Sequence, residues 1–395
     1  MVTDAEVVVV GCGVHGASSA YFLARAGIQV VLVEKAHVGA GSSGASGGII
    51  RCHYTNEVMV RLAHRAAMMW PGLADELGRP LDYVQNGLII AVAPDDAKHL
   101  EEATRMQRRL GVDTTIVGAN EIGRWIPEFR TEGLALAAYE AEAGYADPYA
   151  TAAAFTGKAR ELGAEVVTDT TVTGIEMNGT RVRGVVTDRG RIGTPLVINC
   201  AGPWAARVAG MAGIELPVRV GVLQMTAGNP RYSGWTRVSP TWVDVTTMTY
   251  CRPDASGLML AGGGRTENSD LAAQALDPDR CPSRPPMLFE AEIHDNLARR
   301  CPWAKGMPRV RSWTGPDGIS PDFHLIFGPV PGVLGYLQVV GGSGNSFKLC
   351  PATGEAVAEY VTTGRCTHLD TDAFSIARFA ENRAFHGGYQ MSITG

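Results

Sequence analysis

An α/β fold, a Rossmann-like domain with a strand-rich insertion, is predicted by three observations. The first is the start of the chain, where Val7–Val10 meets Gly11-Cys12-Gly13-Val14-His15-Gly16 and a second apolar run, Val30–Val33, ends in Glu34. The second is βαβ-like patterning that returns at Asp147-Pro148 and again from Leu334. The third is a pair of stretches, 80–138 and 216–310, in which strand-like runs alternate with a charged helix or with long irregular links. Residues 80–138 thus read as an inserted second domain, and the chain from Leu334 as a final portion of the nucleotide domain.

The first apolar run is long enough for a buried parallel strand. Its glycines allow a tight turn, close approach of backbone N–H groups to a pyrophosphate, and tight helix–strand packing. Residues 18–26 read as the helix, whose N-terminus offers unpaired N–H groups and a partial positive charge. Glu34 lies eighteen residues after Gly16, a spacing that lets a carboxylate accept hydrogen bonds from an adenosine ribose diol. The ribose is expected to be unphosphorylated, since a phosphate there would face like charge. Gly11, Gly13, Val14, His15, Gly16, Glu34 and the neighbouring Lys35 are candidate cofactor-binding residues, although the side chains of Cys12 and His15 occupy variable positions and no chemistry is expected of them. Strand, helix, second strand and terminal acid together specify a dinucleotide, which on this segment alone is FAD or NAD.

A net charge of −5 with scattered basic residues argues against nucleic acid, whose phosphates need a concentrated basic surface. No run of eighteen apolar residues occurs, so no membrane span is expected. Asp4 and Glu6 lead directly into the first strand, so no signal peptide is expected. The cysteines at 12, 52, 200, 251, 281, 301, 350 and 366 form no CxxC pair and no Cys/His metal spacing, so no metal is expected and they read as free thiols of a reducing cytoplasm.

Residues 39–48 carry no bulky side chain, as suits a flexible loop or backbone laid against a large flat ligand. Helical periodicity follows over 57–77, broken at Pro71-Gly72, then a strand over 87–92 and a charged helix over 95–110. A helix from Pro148 through Gly163 precedes strands at 165–167, 171–177 and 181–187. Residues 196–204 read as a strand ending in a glycine turn, and 216–310 as strands with irregular links, including the proline-rich 282–286. A strand over 334–340, the glycine-rich 341–344 and a helix over 351–360 close the pattern.

Four segments in order resemble the D-amino-acid oxidase superfamily of flavoproteins: the N-terminal motif with Glu34; residues 42–51; residues 199–204; and Trp313-Thr314-Gly315 through Ser320-Pro321-Asp322, followed by Gly344-Asn345-Ser346-Phe347-Lys348 and Pro351. Within it the chain is similar to the sarcosine oxidase β subunit, glycine oxidase and dimethylglycine dehydrogenase group, with Ser320 in place of a Thr in the β-subunit signature. The likeness spans almost the whole chain. It implies FAD held in a glutathione-reductase-type dinucleotide fold, a discontinuous domain of 1–79, 139–215 and 311–395, with 80–138 and 216–310 forming a second, discontinuous α+β domain on a mixed or antiparallel sheet that covers the substrate. It adds Ser42, Ser43, Ser46, Gly48, Ile49, Val172, Ala201, Gly202, Trp204, Gly315, Gly342, Gly344, Asn345, Ser346, Phe347 and Lys348 to the cofactor-binding set.

The chemistry implied is oxidation of the carbon next to an amine nitrogen, with hydride passing to flavin and the imine then hydrolysed. The bound amine must be neutral, which an apolar pocket favours. Arg51 and Lys348 occupy the positions that hold a substrate carboxylate in the family, and two converging cations repel unless an anion lies between them. Alternatively, each pairs with a local acid or faces solvent. The N-terminus of the helix at Pro351 is a preorganised dipole for negative charge on reduced flavin, though Pro also simply suits a first turn. Tyr250, His53, Tyr54 and His324 are candidate pocket residues, and Trp242 and Trp313 candidate walls.

Three departures from the family bear on the reading. Glycine oxidases place an arginine where this chain has Asp317. The positions used elsewhere to tether FAD carry Arg311-Ser312 or only small residues, so non-covalent FAD is expected. Met259 falls where simple sarcosine oxidases carry an oxygen-activating lysine, which is expected to make oxygen a mediocre acceptor. The substrate is thus expected to be a small amine or amino acid with a carboxylate, and the acceptor oxygen or another electron carrier. An electron-transferring subunit of a larger complex and a non-catalytic flavin protein are the alternatives; oligomeric state is not encoded in any motif.

Overall fold

The computed structural model describes residues 3–263 and 276–386. Its six-stranded sheet runs in the order Ile326–Pro329, Tyr336–Val340, Val197–Asn199, Val7–Val10, Val30–Val33, Glu165–Val167. All pairings are parallel except the first. Burial on both faces explains the unbroken valine runs. Val7 and Val9 pack on the helical side with Phe22 and Val357, whereas Val8 and Val10 face Val185 and Val208 on the other. Helix Val14–Arg25 lies against Pro148–Glu161 and Cys350–Thr363. Gly354 permits the second contact, since a Cβ there would stand 2.1 Å from the Ser18 hydroxyl oxygen.

Eight strands form the second large sheet: Arg309–Ile319, Arg219–Gly228, Met259–Gly263, Thr249–Pro253, Thr241–Asp244, Leu88–Val92, Leu136–Glu140 and Thr114–Gly118. Only the contact of Thr241–Asp244 with Leu88–Val92 is parallel, which makes the sheet mixed. The two inserted segments thus meet edge to edge. Two expected boundaries move: Arg309–Ile319 joins this sheet although 311–395 was assigned to the nucleotide region, and Leu136–Glu140 crosses the 138/139 division.

Helix Met287–Arg300 was not foreseen within the irregular links of 216–310. Its first turn exposes Met287 and Leu288, which blurs the amphipathic pattern, while Phe289, Ile293 and Leu297 cover one sheet face. Over 57–77 there are two helices, Glu57–Ala67 and Trp70–Leu77, and Pro71 sits in the first turn of the second, where its missing N–H costs nothing. Helix Val14–Arg25 begins four residues before the expected start, directly at the glycine turn.

The sheet's alternation sorts its side chains. Trp242, Cys251, Met259 and Ala261 face helix Met287–Arg300, whereas Val243, Tyr250 and Leu260 face the opposite way. Arg300 ties that helix down: its Nε donates to Asp244 Oδ2 at 2.7 Å, and its Nη1 to the Glu132 carbonyl at 2.8 Å, with both side chains buried. Removing one member of a buried ion pair leaves the other charge uncompensated. Arg300→Met is expected to cost about 3–5 kcal/mol of stability in urea unfolding; a loss under 1 kcal/mol would show that the pair does not anchor the helix.

Candidate active site

The turn after the first strand is built on contacts that exclude side chains. A Cβ on Gly11 would lie 2.6 Å from the Cys200 carbonyl oxygen, and one on Gly16 would lie 1.8 Å from the Gly11 oxygen. Gly11 also has φ +99°, a left-handed conformation that favours glycine. The turn aims the N-terminus of Val14–Arg25 into a cavity of about 330 Å³. Gly11, Gly13, Val14, His15, Glu34 and Lys35 line it, and Val172 and Ala201-Gly202 with Trp204 form another wall. Glu34 is buried, one carboxylate oxygen accepting from the Cys12 N–H at 2.8 Å and the other from the Ala36 N–H at 2.9 Å. These bonds fix its orientation and leave lone pairs for a ribose diol.

Residues 39–48 pass along the cavity as close-packed backbone. Ser43 Oγ accepts from the Val14 N–H at 3.0 Å, and Ser42 Oγ donates to the Pro316 carbonyl at 2.6 Å. Gly315 admits the loop, because a Cβ there would stand 2.3 Å from Ala45 Cβ. Trp313 Nε1 holds the Ala45 carbonyl at 3.0 Å. Ser42, Ser43 and Ser46 line the cavity, joined from the C-terminal half by Gly342, Gly344, Ser346 and Phe347. Gly16 and Gly315 do not line this cavity and act as points of close approach.

A smaller chamber of about 70 Å³ shares Ser46, Leu223, Gly344 and Phe347 with the cavity, and so continues it. Gly48, Ile49, Arg51, Tyr250, Asn345 and Lys348 line the remainder. Arg51 and Lys348 are both buried, and their charged ends lie 4.6 and 5.0 Å from the centre of the same Tyr54 ring. Arg51 Nη2 donates to Asn345 Oδ1 at 3.0 Å, its Nη1 donates to the His53 carbonyl, and Lys348 Nζ donates to the Asn345 carbonyl at 2.6 Å. Burial, then the neighbouring Arg51 charge, holds the Lys348 ammonium well below its usual range.

Beneath the cations lies Glu140, which nothing in the local sequence distinguishes from other strand-end acids. It arrives on Leu136–Glu140, and its Oε1 accepts from the Cys52 N–H at 2.7 Å. Burial pushes its carboxyl up to about 7, opposed by the Cys52 N–H and by Arg51. His53 and Tyr54 are buried behind the chamber: burial and Arg51 hold His53 down at about 3, Gln107 Nε2 lies 3.1 Å from its Nδ1, and the Tyr54 hydroxyl donates to the Asn345 carbonyl at 3.2 Å. His324 sits beside Asn56, 3.0 Å from its amide, again outside the lining.

Two expectations are corrected. Met259 is fully buried with Trp242 and Cys251 beneath helix Met287–Arg300, one sheet face away from the cavity, because odd and even positions of its strand point to opposite sides. Trp242 shares that fate and packs on Phe129. Met259 therefore supports no inference about oxygen, and the flanking Leu258 and Leu260 turn toward Tyr250 and Trp313 instead.

A family model described as FAD dependent oxidoreductase matches residues 6–360. The chain belongs to this family, and FAD is its cofactor. It is 27% identical over 400 residues to mitochondrial sarcosine dehydrogenase from Mus musculus, covering 97% of this chain and 42% of that protein. It thus spans about two-fifths of the length of that relative. Sarcosine oxidase subunit beta from Rhodobacter capsulatus is 26% identical over 371 residues, covering 91% of this chain and 85% of that protein. Among solved structures, L-proline dehydrogenase from P. horikoshii superposes with a TM-score of 0.88 at 26% identity, covering 97% and 99% of the two chains. Glycine oxidase from Geobacillus kaustophilus, at 24% identity and a TM-score of 0.83 over 95% and 99%, shares the fold.

The residues present fit FAD. The glycines of the turn bring bare backbone to the cavity wall, and the buried His15 Nε2, on a ring whose Nδ1 is 2.8 Å from the Thr353 hydroxyl, has no hydrogen-bond partner of its own. Burial holds His15 down at about 4, so the ring is a neutral hydrogen-bonding group at pH 7. Glu34→Gln is expected to weaken FAD binding by about 1.5–3 kcal/mol, the worth of a charge-assisted hydrogen bond. Titration of apoprotein with FAD measures this, and an unchanged dissociation constant would remove Glu34 from the ribose site.

Proposed function

We propose that this chain oxidises a C–N bond of a small amino acid or N-methyl or secondary amine that carries a carboxylate. The observation that carries the reading is the convergence of Arg51 and Lys348, buried, on one chamber continuous with the FAD cavity. Two cations so close and so poorly solvated disfavour each other, and a bound carboxylate relieves both. Arg51 offers a planar fork and Lys348 a point charge, so the carboxylate is oriented as well as neutralised. The same cations, with the apolar walls Leu223 and Val243, disfavour an ammonium and hold the amine nitrogen neutral, leaving its lone pair free. FAD, when bound, supplies the hydride acceptor, and the imine leaves for hydrolysis in water.

The Gly13 N–H, at the start of helix Val14–Arg25, would face the pyrophosphate, the Gly11 and Val14 N–H groups being taken by the Val33 carbonyl at 2.8 Å and by Ser43 Oγ at 3.0 Å, and Glu34 would hold the ribose. The turn Phe347–Leu349 and helix Cys350–Thr363 would present a positive dipole end to the flavin. Cys200 lines the cavity, but burial pushes its thiol up to about 12, too high for a thiolate nucleophile at pH 7. We expect FAD to be non-covalent, so acid precipitation should leave all flavin in the supernatant; a yellow pellet would refute this. Likeness to a sarcosine oxidase subunit beta favours a second reading, in which a partner protein rather than oxygen receives the electrons. Turnover by the purified chain with oxygen alone counts against that reading.

Lys348→Met is expected to weaken carboxylate inhibitors by about 2–4 kcal/mol, since it leaves an incomplete clamp in a buried site. Arg51→Lys should also lose affinity, because a point charge does not reproduce the fork. Anaerobic flavin reduction by an N-methyl amino acid and by its amide separates the roles. Equal losses for acid and amide would refute the clamp.

A further inference from the structure

The two basic groups line the small chamber, and an acid lines the cavity that adjoins it. Asp317 lies on strand Arg309–Ile319, opposite Gly221 of Arg219–Gly228, a pairing that places no side chain beside it. It lines the FAD cavity where the chamber begins: its Oδ2 would lie 3.5 Å from a Cβ on Gly344, and Gly344 lines both spaces. The groups around it come from each neighbouring element. Its own strand supplies the Gly318 N–H, donating to Oδ1 at 2.9 Å, and the loop after Tyr336–Val340 supplies the Gly344 N–H. Thr249–Pro253 supplies Tyr250, whose hydroxyl feels the Asp317 charge, and Arg219–Gly228 supplies the uncharged Leu223. Arg51 and Lys348 lie in the adjoining chamber. Among the described residues, no salt-bridge partner stands against the Asp317 carboxylate.

We propose that Asp317 receives the ammonium end of the substrate and takes its proton, so that the site admits amino acids as zwitterions, carboxylate toward Arg51 and Lys348 and nitrogen toward Asp317. The inference rests on the carboxylate-binding reading above and extends it. In the step proposed, one N–H bond of the ammonium breaks and one O–H bond forms on Asp317; no electrons are transferred, and the neutral amine keeps its lone pair for the hydride step. The proton leaves to water after the imine departs. This resolves the conflict between an amino acid that is cationic at nitrogen in water and a chamber that disfavours that cation. Burial pushes the Asp317 carboxyl up to about 7, against the pull of the Gly318 and Gly344 N–H groups, which matches its proton affinity to neutral pH.

Anaerobic stopped-flow reduction of the FAD-loaded protein by N-methyl and cyclic amino acids, measured across pH, tests the assignment. The carboxylate is the acceptor, so the second-order reduction rate should rise with pH through about 7. In Asp317→Asn that limb should move up to the ammonium range of the substrate, with a loss of roughly 10²-fold at pH 7. Asp317→Glu should return the limb toward neutrality. A bracing role alone would lower rates at every pH without moving the limb, which overturns the proposal. Propanoate binding, followed by the flavin spectrum, gives a readout independent of turnover: Asp317→Asn should bind it as tightly as wild type or more tightly, since an anion is removed, whereas Lys348→Met binds it more weakly. Equal weakening in both variants also overturns the proposal. Should Asp317→Asn fail to hold FAD, Asp317→Ser serves for both measurements. If no amino acid reduces the wild-type flavin, the carboxylate-binding reading falls and this one with it; reduction with an unmoved limb sinks Asp317 alone.

Discussion

The close approach of bare backbone at Gly11 is the constraint on which the rest depends. Its carbonyl lies where any side chain on Gly16 would have to go, and its own missing side chain makes room for the Cys200 carbonyl. Strand Val7–Val10, helix Val14–Arg25 and the end of Val197–Asn199 therefore meet with no intervening side chains. The cavity is the space this junction leaves open, at the start of a helix whose partial positive charge suits a phosphate. The same device recurs at Gly315 against Ala45 and at Gly354 against Ser18. Three chain segments far apart in sequence are thus drawn together by absent atoms.

Electrostatics organises the other end. Arg51 and Lys348 line one small chamber, Glu140 is buried against Cys52 beside Arg51, and Asp317 is buried on the adjoining cavity, where charges interact far more strongly than at the surface. Desolvation pushes each acid and the lysine toward its neutral form, so the chamber is poised to accept a ligand that supplies the missing countercharges. Surface ion pairs such as Lys35 with Asp279, at the cavity rim, are solvated and add little by comparison. Lys35 still helps shape the rim through its position 4.0 Å over the Trp204 ring.

The substrate chamber has walls from both sheets. Lys348 follows Tyr336–Val340 of the six-stranded sheet and Arg51 follows Ile49–Ile50, which pairs with Gly144–Tyr145 in a small three-stranded sheet, while Leu223, Val243 and Tyr250 come from the eight-stranded one. Changes in the inserted strands can therefore reshape the substrate space while leaving the glycine turn and Glu34 untouched. The strand Arg309–Ile319 links the two layers. It pairs with Arg219–Gly228, braces the 39–48 loop through Trp313 and Pro316, and carries Asp317 into the cavity.

By itself the sequence determined what local physics records. The valine runs, the glycine turn and the terminal Glu34 encode a buried parallel strand and a helix start in consecutive residues, and the small-residue loop encodes close backbone approach. Arg51 and Lys348 were legible through their surrounding motif, and the structure brings both into one chamber. What tertiary structure decided is direction and company. Whether Met259 or its neighbours face the cavity turns on a one-residue parity in a strand, which no composition reveals. Helix Met287–Arg300 was hidden because its exposed first turn masks the periodicity of its buried face. Glu140 acquires its proximity to Arg51 only when Leu136–Glu140 folds beneath residues 51–54, and Asp317 its setting only when Gly344 closes against it. Proton affinities of buried groups are set by such non-local neighbours and by desolvation, both properties of the folded volume rather than of the chain.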